Sequence, residues 1–574
     1  MDKSKITKSL AVFASVLLII IIGVASFAYF GTFNVNLNNN VAVNINSSSP
    51  GNATFTSNAT QLNLQVPAAN MSFTAANNTV AAKEDTAFLD VTLTGSENLL
   101  TTCTYDIVYE YGAGSNVYGQ GTTTKTSGAK KEITIEVNGM NGNNHFATET
   151  NFDHANIQSY YDSTNKYYKL VEGATIKSLG STQSVRWKII GRYYNLDVSQ
   201  TQLGGKNFTG KIYAISKGCS SEDGTTVKKG YETILANNGG KTAIEAKTAD
   251  FTTIETSNAG MYSYTEGTGK TYYYRGAVDN NWVKYGKFKA DQIVYRGFEK
   301  EDSIDTSNTY NFDYIDDPTL AECQNSSSYN YKCKEVTYAH KGDDMYWRII
   351  RVDKDNKIKM IYAGSKAPSE NAKVAITGAN TNMGFTAYNN DYDHAEYVGF
   401  QYTVGSQRGT TNSTIKTYLD NWYTKYFNEN ISTSRFVKTT FCNDRNTSST
   451  WASTGSTIYY APYIRLSVGT PVPTFECNSL DVVTNNLGLI TADEIVLAGG
   501  YYGAINNIFY LNNNMAYWTG SPDTFQSGYS YVIVLNLVDC SVKKRLYGAR
   551  GVITLSSESK LLGSGTYNDV YTVS

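Results

Sequence analysis

Histidine occurs four times in 574 residues, proline eight times and cysteine seven times, and charged side chains make up only 17% of the chain. Each scarcity removes a class of function. None of His145, His154, His340 and His394 forms an H-E-x-x-H motif or lies at ligand spacing from another, so no zinc-hydrolase centre is expected. No C-x-x-C occurs, which argues against zinc ribbons and thioredoxin-type redox sites. The nucleophile-elbow pattern G-x-S-x-G is also missing. Basic and acidic residues nearly balance, at 49 against 51, and no basic stripe with interleaved aromatics stands out, so nucleic acid is not an expected partner.

Tyrosine is plentiful, at 46 residues, and is set among many Thr, Asn, Ser and Gly. That mixture suits twisted strands joined by polar turns. The expectation is a mainly β chain with a few helices. Its length calls for two or three domains, since a single core rarely grows to this size.

One long apolar run is present. Leu10 to Phe30 comes after Lys3, Lys5 and Lys8, and is long enough to cross a bilayer as a helix at about 1.5 Å per residue. Positive charge ahead of the run favours export of the residues beyond it. Residues 1–30 therefore read as a signal peptide or membrane anchor. Cleavage after Ala28 gives a secreted product, and retention gives a cell-membrane protein with an extracellular bulk. The ending GVASFAYF, with Gly31-Thr32-Phe33 and VNLNNNVAVNI after it, resembles the leader of the TasA/camelysin group of secreted matrix and fibre proteins.

Residues 31–218 carry period-2 strand patterns. They include Asn34 to Asn46, Leu62 to Val66, Ala87 to Leu93, Tyr105 to Tyr111, Glu132 to Val137 (stopped at Asn138-Gly139), Ser184 to Ile190 and Lys211 to Ile215. Short strands between turn clusters suggest an antiparallel sandwich or jelly roll. The stretch from Tyr193 to Phe208 resembles the closing part of the TasA-like domain, which implies a TasA-like β-sandwich for the whole segment. Residues 219–259 read as a connector containing a short helix near Thr233. The acidic, Ser/Asn-rich stretch at about 299–340 reads as a long inserted loop.

Residues 260–574 mix strands and helices. Tyr346 to Val352, a turn at Asp353 to Asn356, and Lys357 to Tyr362 predict a hairpin. Ser413 opens a helix with Ile415, Leu419, Trp422 and Tyr426 on one face. Gly488 to Leu555 begins GLITADEIVLAGG. There Thr491 and Glu494 predict a capping box, Asp493 suits the helix dipole, and Gly499-Gly500 ends the helix. The two adjacent carboxylates thereby have a structural explanation. Tyr529 to Val538 and Lys543 to Tyr547 are read as a closing hairpin, and Gly551 to Leu555 as the last core strand.

The order of these pieces, with YWTGS and RGVITL, resembles the formylglycine-generating, sulfatase-modifying branch of the C-type-lectin-like fold. YYYRGAVDNNWV, YWRII, TIKTYLDNWY, FCNDR and YWTGSP together resemble surface proteins of gut-type Firmicutes, over roughly Tyr272 to Val573. The resemblance implies an α+β C-type-lectin-like domain but no activity. Formylglycine-generating enzymes work through a cysteine pair near the C-terminus, where this chain has only Cys540, so that activity is not expected to carry over.

An exported chain often pairs its cysteines. Cys442 with Cys477 and Cys323 with Cys333 flank two excursions, and Cys103 with Cys219 is a third candidate pair. Candidate ligand contacts are Trp451, Asn443, Asp444 and Trp518; no catalytic residue, metal or cofactor is assigned. The loop around His394 holds metal-ligand residue types, but a solvated polar loop is the better reading. The expectation is a non-enzymatic surface or matrix protein with a structural or adhesive role, attached to the membrane through residues 10–30 or secreted. It would associate with itself or with an envelope or host glycan or protein. The alternatives are a glycan- or peptide-binding module and, behind it, a modifying enzyme.

Overall fold

The computed structural model describes residues 41–46, 52–65, 83–95, 99–111, 133–141, 144–151, 167–194, 207–224, 227–298, 316–317, 332–429, 434–447, 457–477, 481–535, 539–543 and 547–574. The protein is mainly β, with five α-helices among these residues. It divides into two compact units, the first formed by Met1–Gly142 and Phe146–Thr225 and the second by Asn143–His145 and Thr226–Ser574. Residues 10–30 lie outside the described residues. Among those described, no helix is long and apolar enough to cross a membrane.

The first unit contains β1 (Val41–Asn46), β2 (Asn52–Ser57), β3 (Thr60–Gln65), β4 (Lys83–Thr94), β5 (Leu99–Tyr111), β6 (Ile133–Asn141), β7 (Asn144–Asn151), β8 (Tyr167–Leu179), β9 (Thr182–Tyr193) and β10 (Asn207–Asp223). They form a six-stranded sheet in the order β1-β2-β4-β9-β6-β7 and a four-stranded sheet in the order β3-β10-β5-β8. Alternation drives the arrangement. In β4 the apolar Ala87, Leu89, Val91 and Leu93 are buried, while the residues between them are only partly covered. The inner faces of the two sheets meet through Trp187 of β9, whose indole N–H donates to the Tyr105 hydroxyl of β5 at 3.0 Å; both side chains are fully buried. Cys103 and Cys219 face each other across β5 and β10 and are joined in a disulfide.

Several boundaries differ from the sequence reading. β6 continues through Asn138 and Gly139 to Asn141, because pairing with β9 outweighs the turn propensity of Asn-Gly. The described residues of the expected connector at 219–259 are divided between the two units. β10 runs on to Asp223, paired with Leu99, and the helices Gly230–Asn237 and Gly240–Glu245 place Ile234, Leu235 and Ile244 in the core of the second unit. The stretch at 299–340 is not all loop. Lys332–Ala339 is a strand on Gln292–Phe298, and Asp316–Asp317 pairs with Tyr295 and Arg296 from the other side.

The second unit is built on a nine-stranded sheet. Its middle strand, Asp344–Val352, is buried at every position except Arg351, as expected of a strand covered on both faces. It pairs with Gly269–Arg275, Trp282–Phe288 and Ile358–Gly364. The closing strands also depart from expectation. Tyr529–Val534 pairs with Trp518–Gln526 and Asp539–Ser541, whereas Tyr547–Ala549 pairs with Gly384–Thr386. Val552–Leu555 is not the last strand. Tyr571–Val573 comes after it and lies parallel to Trp282–Phe288, burying Tyr571 and Val573 in the core.

The helix Thr414–Tyr426 is capped by Ser413, whose hydroxyl accepts from Lys416 N–H at 3.3 Å and donates to the Phe400 carbonyl at 2.8 Å. Ile415, Leu419, Trp422 and Tyr426 are its buried face. Because Ser413 is wholly buried, Ser413→Ala is expected to lower stability by about 1–2 kcal/mol in denaturant unfolding of the full chain. A change under about 0.5 kcal/mol would refute this account of the cap.

Three buried arginines join distant segments. Arg275 donates to the carbonyls of Val496 and Leu497 at 2.9 and 3.0 Å, at the C-terminal end of the helix Ala492–Leu497, where free carbonyls and the helix dipole favour a cation. The next residue, Gly276, has φ +83°, and a Cβ there would lie 2.1 Å from the Ser257 carbonyl oxygen, so glycine is required. Arg348 lies 4.0 Å over the Trp282 ring and donates to Asn281 Oδ1 and to the Val278 and Val374 carbonyls. Arg550 donates to the Tyr362 and Leu511 carbonyls, each at 2.6 Å.

Candidate functional site

The helix Ala492–Leu497 starts at Thr491, whose hydroxyl accepts from Glu494 N–H at 3.1 Å while a Glu494 carboxylate oxygen accepts from Thr491 N–H at 3.0 Å. The predicted capping box is present. The same two carboxylates, Asp493 and Glu494, also form part of the floor of a polar cleft of about 360 Å³.

On one side of that floor, Glu494 Oε1 accepts from Lys359 Nζ at 2.7 Å and from Arg351 Nε at 3.0 Å. Glu494 is almost completely buried. Burial alone would raise its pKa, but Lys359, Arg351 and the cap N–H hold the carboxyl below the usual glutamate value. On the other side, Arg465 bridges two acids. Its Nε and Nη2 make a forked pair with Asp493 at 2.8 and 2.7 Å, and its Nη1 reaches Asp444 Oδ2 at 2.7 Å. Formal charges leave the Asp444–Arg465–Asp493 group with one net negative charge and the Arg351–Lys359–Glu494 group with one net positive charge. The floor therefore has two poles, joined through consecutive residues of one helix.

The walls are mixed. Phe475 packs edge-on to Tyr264 and Tyr273 and carries the Arg351 guanidinium at 4.7 Å. The Cys442–Cys477 disulfide, Thr439, Thr440 and the exposed Lys438 complete one side.

The expected ligand contacts separate here. Asp444 lines the cleft and is only 7% exposed. Its Oδ1 is buried without a hydrogen-bond partner, its backbone has φ +33°, and burial raises its carboxyl above the ordinary aspartate value despite Arg465. Asn443 is a structural residue: its amide donates to Asp481 at 2.9 Å, its Oδ1 accepts from Phe400 N–H at 2.9 Å, and Arg445 pairs with Asp481 beside it. Trp518 is not a surface contact. It is 0% exposed, packs against Tyr388 and Tyr547, and donates its indole N–H to the Thr386 carbonyl at 2.8 Å. The buried strand it begins needs a large apolar side chain there. Trp451 and Cys323, and with it the Cys323–Cys333 pairing, lie outside the described residues.

Lys359, Arg351 and Arg465 were not singled out from sequence. They come from two strand positions and a short helix far from Thr491, and only their pairing with Asp493 and Glu494 gives them meaning.

His394 is exposed and stacks edge-on against Tyr397; it does not line the cleft. Among the described residues, no group of three or more His, Cys, Asp or Glu is arranged to hold a metal ion. Near His394, Tyr392 and Tyr529 stack at 4.7 Å with Lys543 4.7 Å over Tyr392, and Tyr529 remains 43% exposed.

The chain matches no known family model, no curated protein and no solved structure.

Proposed function

We propose that this chain is an exported cell-surface or matrix protein with an adhesive role and no catalytic activity, whose C-terminal unit binds its partner in the charged cleft. The observation that carries the reading is the cleft floor. Its acids and cations are fixed pairwise at hydrogen-bond distance, except for one buried carboxylate oxygen of Asp444. Groups locked in this way suit preorganised recognition better than proton transfer, which needs an acid or base free to reach the substrate. The basic leader and apolar run at 10–30 support export, with the membrane as partner if the leader is retained.

In the same reading the first unit is a TasA-like jelly roll, supported by its two antiparallel sheets with a shared core. The second unit is C-type-lectin-like, supported by a β core whose motif arginines tie long loops to the sheet and to a short helix. A second, glycan-binding reading rests on the exposed Tyr529 stacked on Tyr392, since aromatic faces suit the apolar faces of sugars.

Two measurements test this reading. Protease added to intact cells should remove the bulk of the chain, and protection from it would refute export. The full chain, screened on mixed glycan and peptide arrays, should show saturable binding that Asp444→Asn weakens at least tenfold. Binding that Tyr529→Ala abolishes and Asp444→Asn leaves intact would move the site to the aromatic stack.

A further inference from the structure

Outside the cleft, one face of a smaller sheet in the second unit carries two exposed tyrosines. Ile458–Tyr459, Trp518–Gln526, Tyr529–Val534 and Asp539–Ser541 form this four-stranded sheet in that order. Ile458, Phe525 and Ser530 lie opposite one another across its first three strands, and all three are buried. Tyr459 and Tyr529 each adjoin one member of that row in the chain, so strand alternation turns both to the other face. They are 41% and 43% exposed, and neither lines the cleft.

Each of these rings is backed by another tyrosine. Tyr459 stacks on Tyr463 with centroids 5.2 Å apart, and Tyr529 on Tyr392 at 4.7 Å. One ring face is thereby covered, and what stays exposed is the opposite face and the hydroxyl edge. A ring already held against a neighbour loses little freedom when a ligand stacks on it. The surroundings suit a neutral ligand. Thr457 to Ile464, around Tyr459, carries no charge. Near Tyr529, the exposed Asp391 and Asp393 flank Tyr392 in the chain, while Lys543 lies 4.7 Å over the Tyr392 ring. A cation there meets the ammonium and an anion meets the carboxylates, whereas hydroxyl groups donate to the acids and accept from the lysine. Such a rim around an aromatic face fits a pyranose ring, which is apolar on its C–H face and polar at its edge.

Spacing narrows the choice further. Tyr459 lies opposite Thr524 and Tyr529 opposite Gln526, on either side of the buried row. Two strand spacings across the sheet and two residue rises along it put their Cα atoms about 12 Å apart. That is wider than a single sugar ring. It calls for a chain of several rings, straight enough to lay two of them on one surface. β-1,4-linked hexopyranoses have that shape, because their equatorial linkages extend the chain and leave the ring faces apolar.

We propose that this face binds an extended, neutral, β-linked oligosaccharide, with one pyranose ring stacked on Tyr529 and another on Tyr459. This rests on the glycan-binding reading of the Tyr392–Tyr529 stack and adds to it a second platform, a chain length and a linkage.

The test is calorimetric titration of the full chain with cellobiose, cellotetraose and maltotetraose, with sedimentation velocity to follow self-association. Cellotetraose should bind about tenfold more tightly than cellobiose, which is too short to reach both rings. Tyr459→Ala and Tyr529→Ala should each weaken cellotetraose about tenfold, whereas Tyr459→Phe and Tyr529→Phe, which keep the ring face, should stay within about threefold of the parent. Maltotetraose, whose α-linked chain curls, should bind no better than cellobiose, and equal affinity for the two tetrasaccharides would overturn the linkage. Saccharide binding that Tyr529→Ala abolishes and Tyr459→Ala leaves intact would overturn the second platform and leave the glycan reading standing. Self-association that either alanine variant abolishes, without saccharide binding, would assign the face to a second copy of the chain and overturn the proposal. No binding of the three sugars, with none on the glycan array, would overturn both the proposal and the glycan reading.

Discussion

Glu494→Ala is expected to destabilise the protein by about 3–5 kcal/mol, one of the two largest losses foreseen for this chain. The change removes the shared partner of Lys359 and Arg351 and leaves the Lys359 ammonium buried beside another cation. Truncating one side of a buried ion group costs in that range because the remaining charge is uncompensated. The return bond to Thr491 N–H is lost as well. Thermal unfolding at neutral pH measures the effect, and a loss under about 1 kcal/mol would show that water reaches and solvates the pair.

The same residue sets a pH dependence. Its pKa is lowered in the folded protein, so the folded state binds fewer protons there than the unfolded chain. The stabilisation is complete above the ordinary glutamate value and is lost as pH falls through the lowered one. Glu494→Gln should therefore flatten the acid limb of the stability curve, and an unchanged limb would assign that limb to other carboxylates.

The second large effect is expected in the first unit. Replacing Cys103 and Cys219 together with alanine should cost about 2–5 kcal/mol. The disulfide closes a loop with a sequence separation of 116 residues, and much of its contribution comes from restricting the unfolded chain. Cys103 is fully buried and Cys219 partly covered, both on paired strands, so the native backbone needs little adjustment when they are removed. Denaturant unfolding of the double variant, compared with the reduced parent chain, separates loss of the cross-link from loss of the side chains. A midpoint shift in the variant that is absent on reduction would assign the effect to packing alone.

Local chemistry was the legible part of the sequence. Ser413 and Thr491 announce their helices because a cap and its N3 partner are close in the chain, and period-2 alternation marks β4 as a half-covered strand. Pairing over long distances was not legible. Nothing in Tyr571-Thr572-Val573 says that it lies parallel to Trp282–Phe288, and a short apolar run at the chain's end has no periodicity to read. Nor did the propensity of Asn138-Gly139 for turns reveal that β9 would hold those residues in a strand.

The cleft was half visible. Thr491 and Glu494 read as a capping box, which accounts for the helix start but not for the cation partner that each of Asp493 and Glu494 also has from elsewhere. Trp518 misled for the opposite reason. A tryptophan in a polar-looking YWTGSP segment suggests a contact surface, yet every residue from Trp518 to Phe525 is buried.

The arginines of the second unit have a consequence for how such a protein can change. Arg275, Arg348 and Arg550 are held mainly by main-chain carbonyls, which every amino acid supplies alike whatever its side chain. Their partners can therefore mutate without loosening the joint, whereas lysine in their place would bring a single nitrogen where each arginine donates from two or more. The rim of the cleft, with Lys438, Thr440 and Glu476 exposed, takes no part in these joints. Descendants of this chain could exchange rim residues, and with them the molecule proposed to bind there, while the frame beneath stayed the same. A shared frame would then predict shape among relatives but not the choice of ligand.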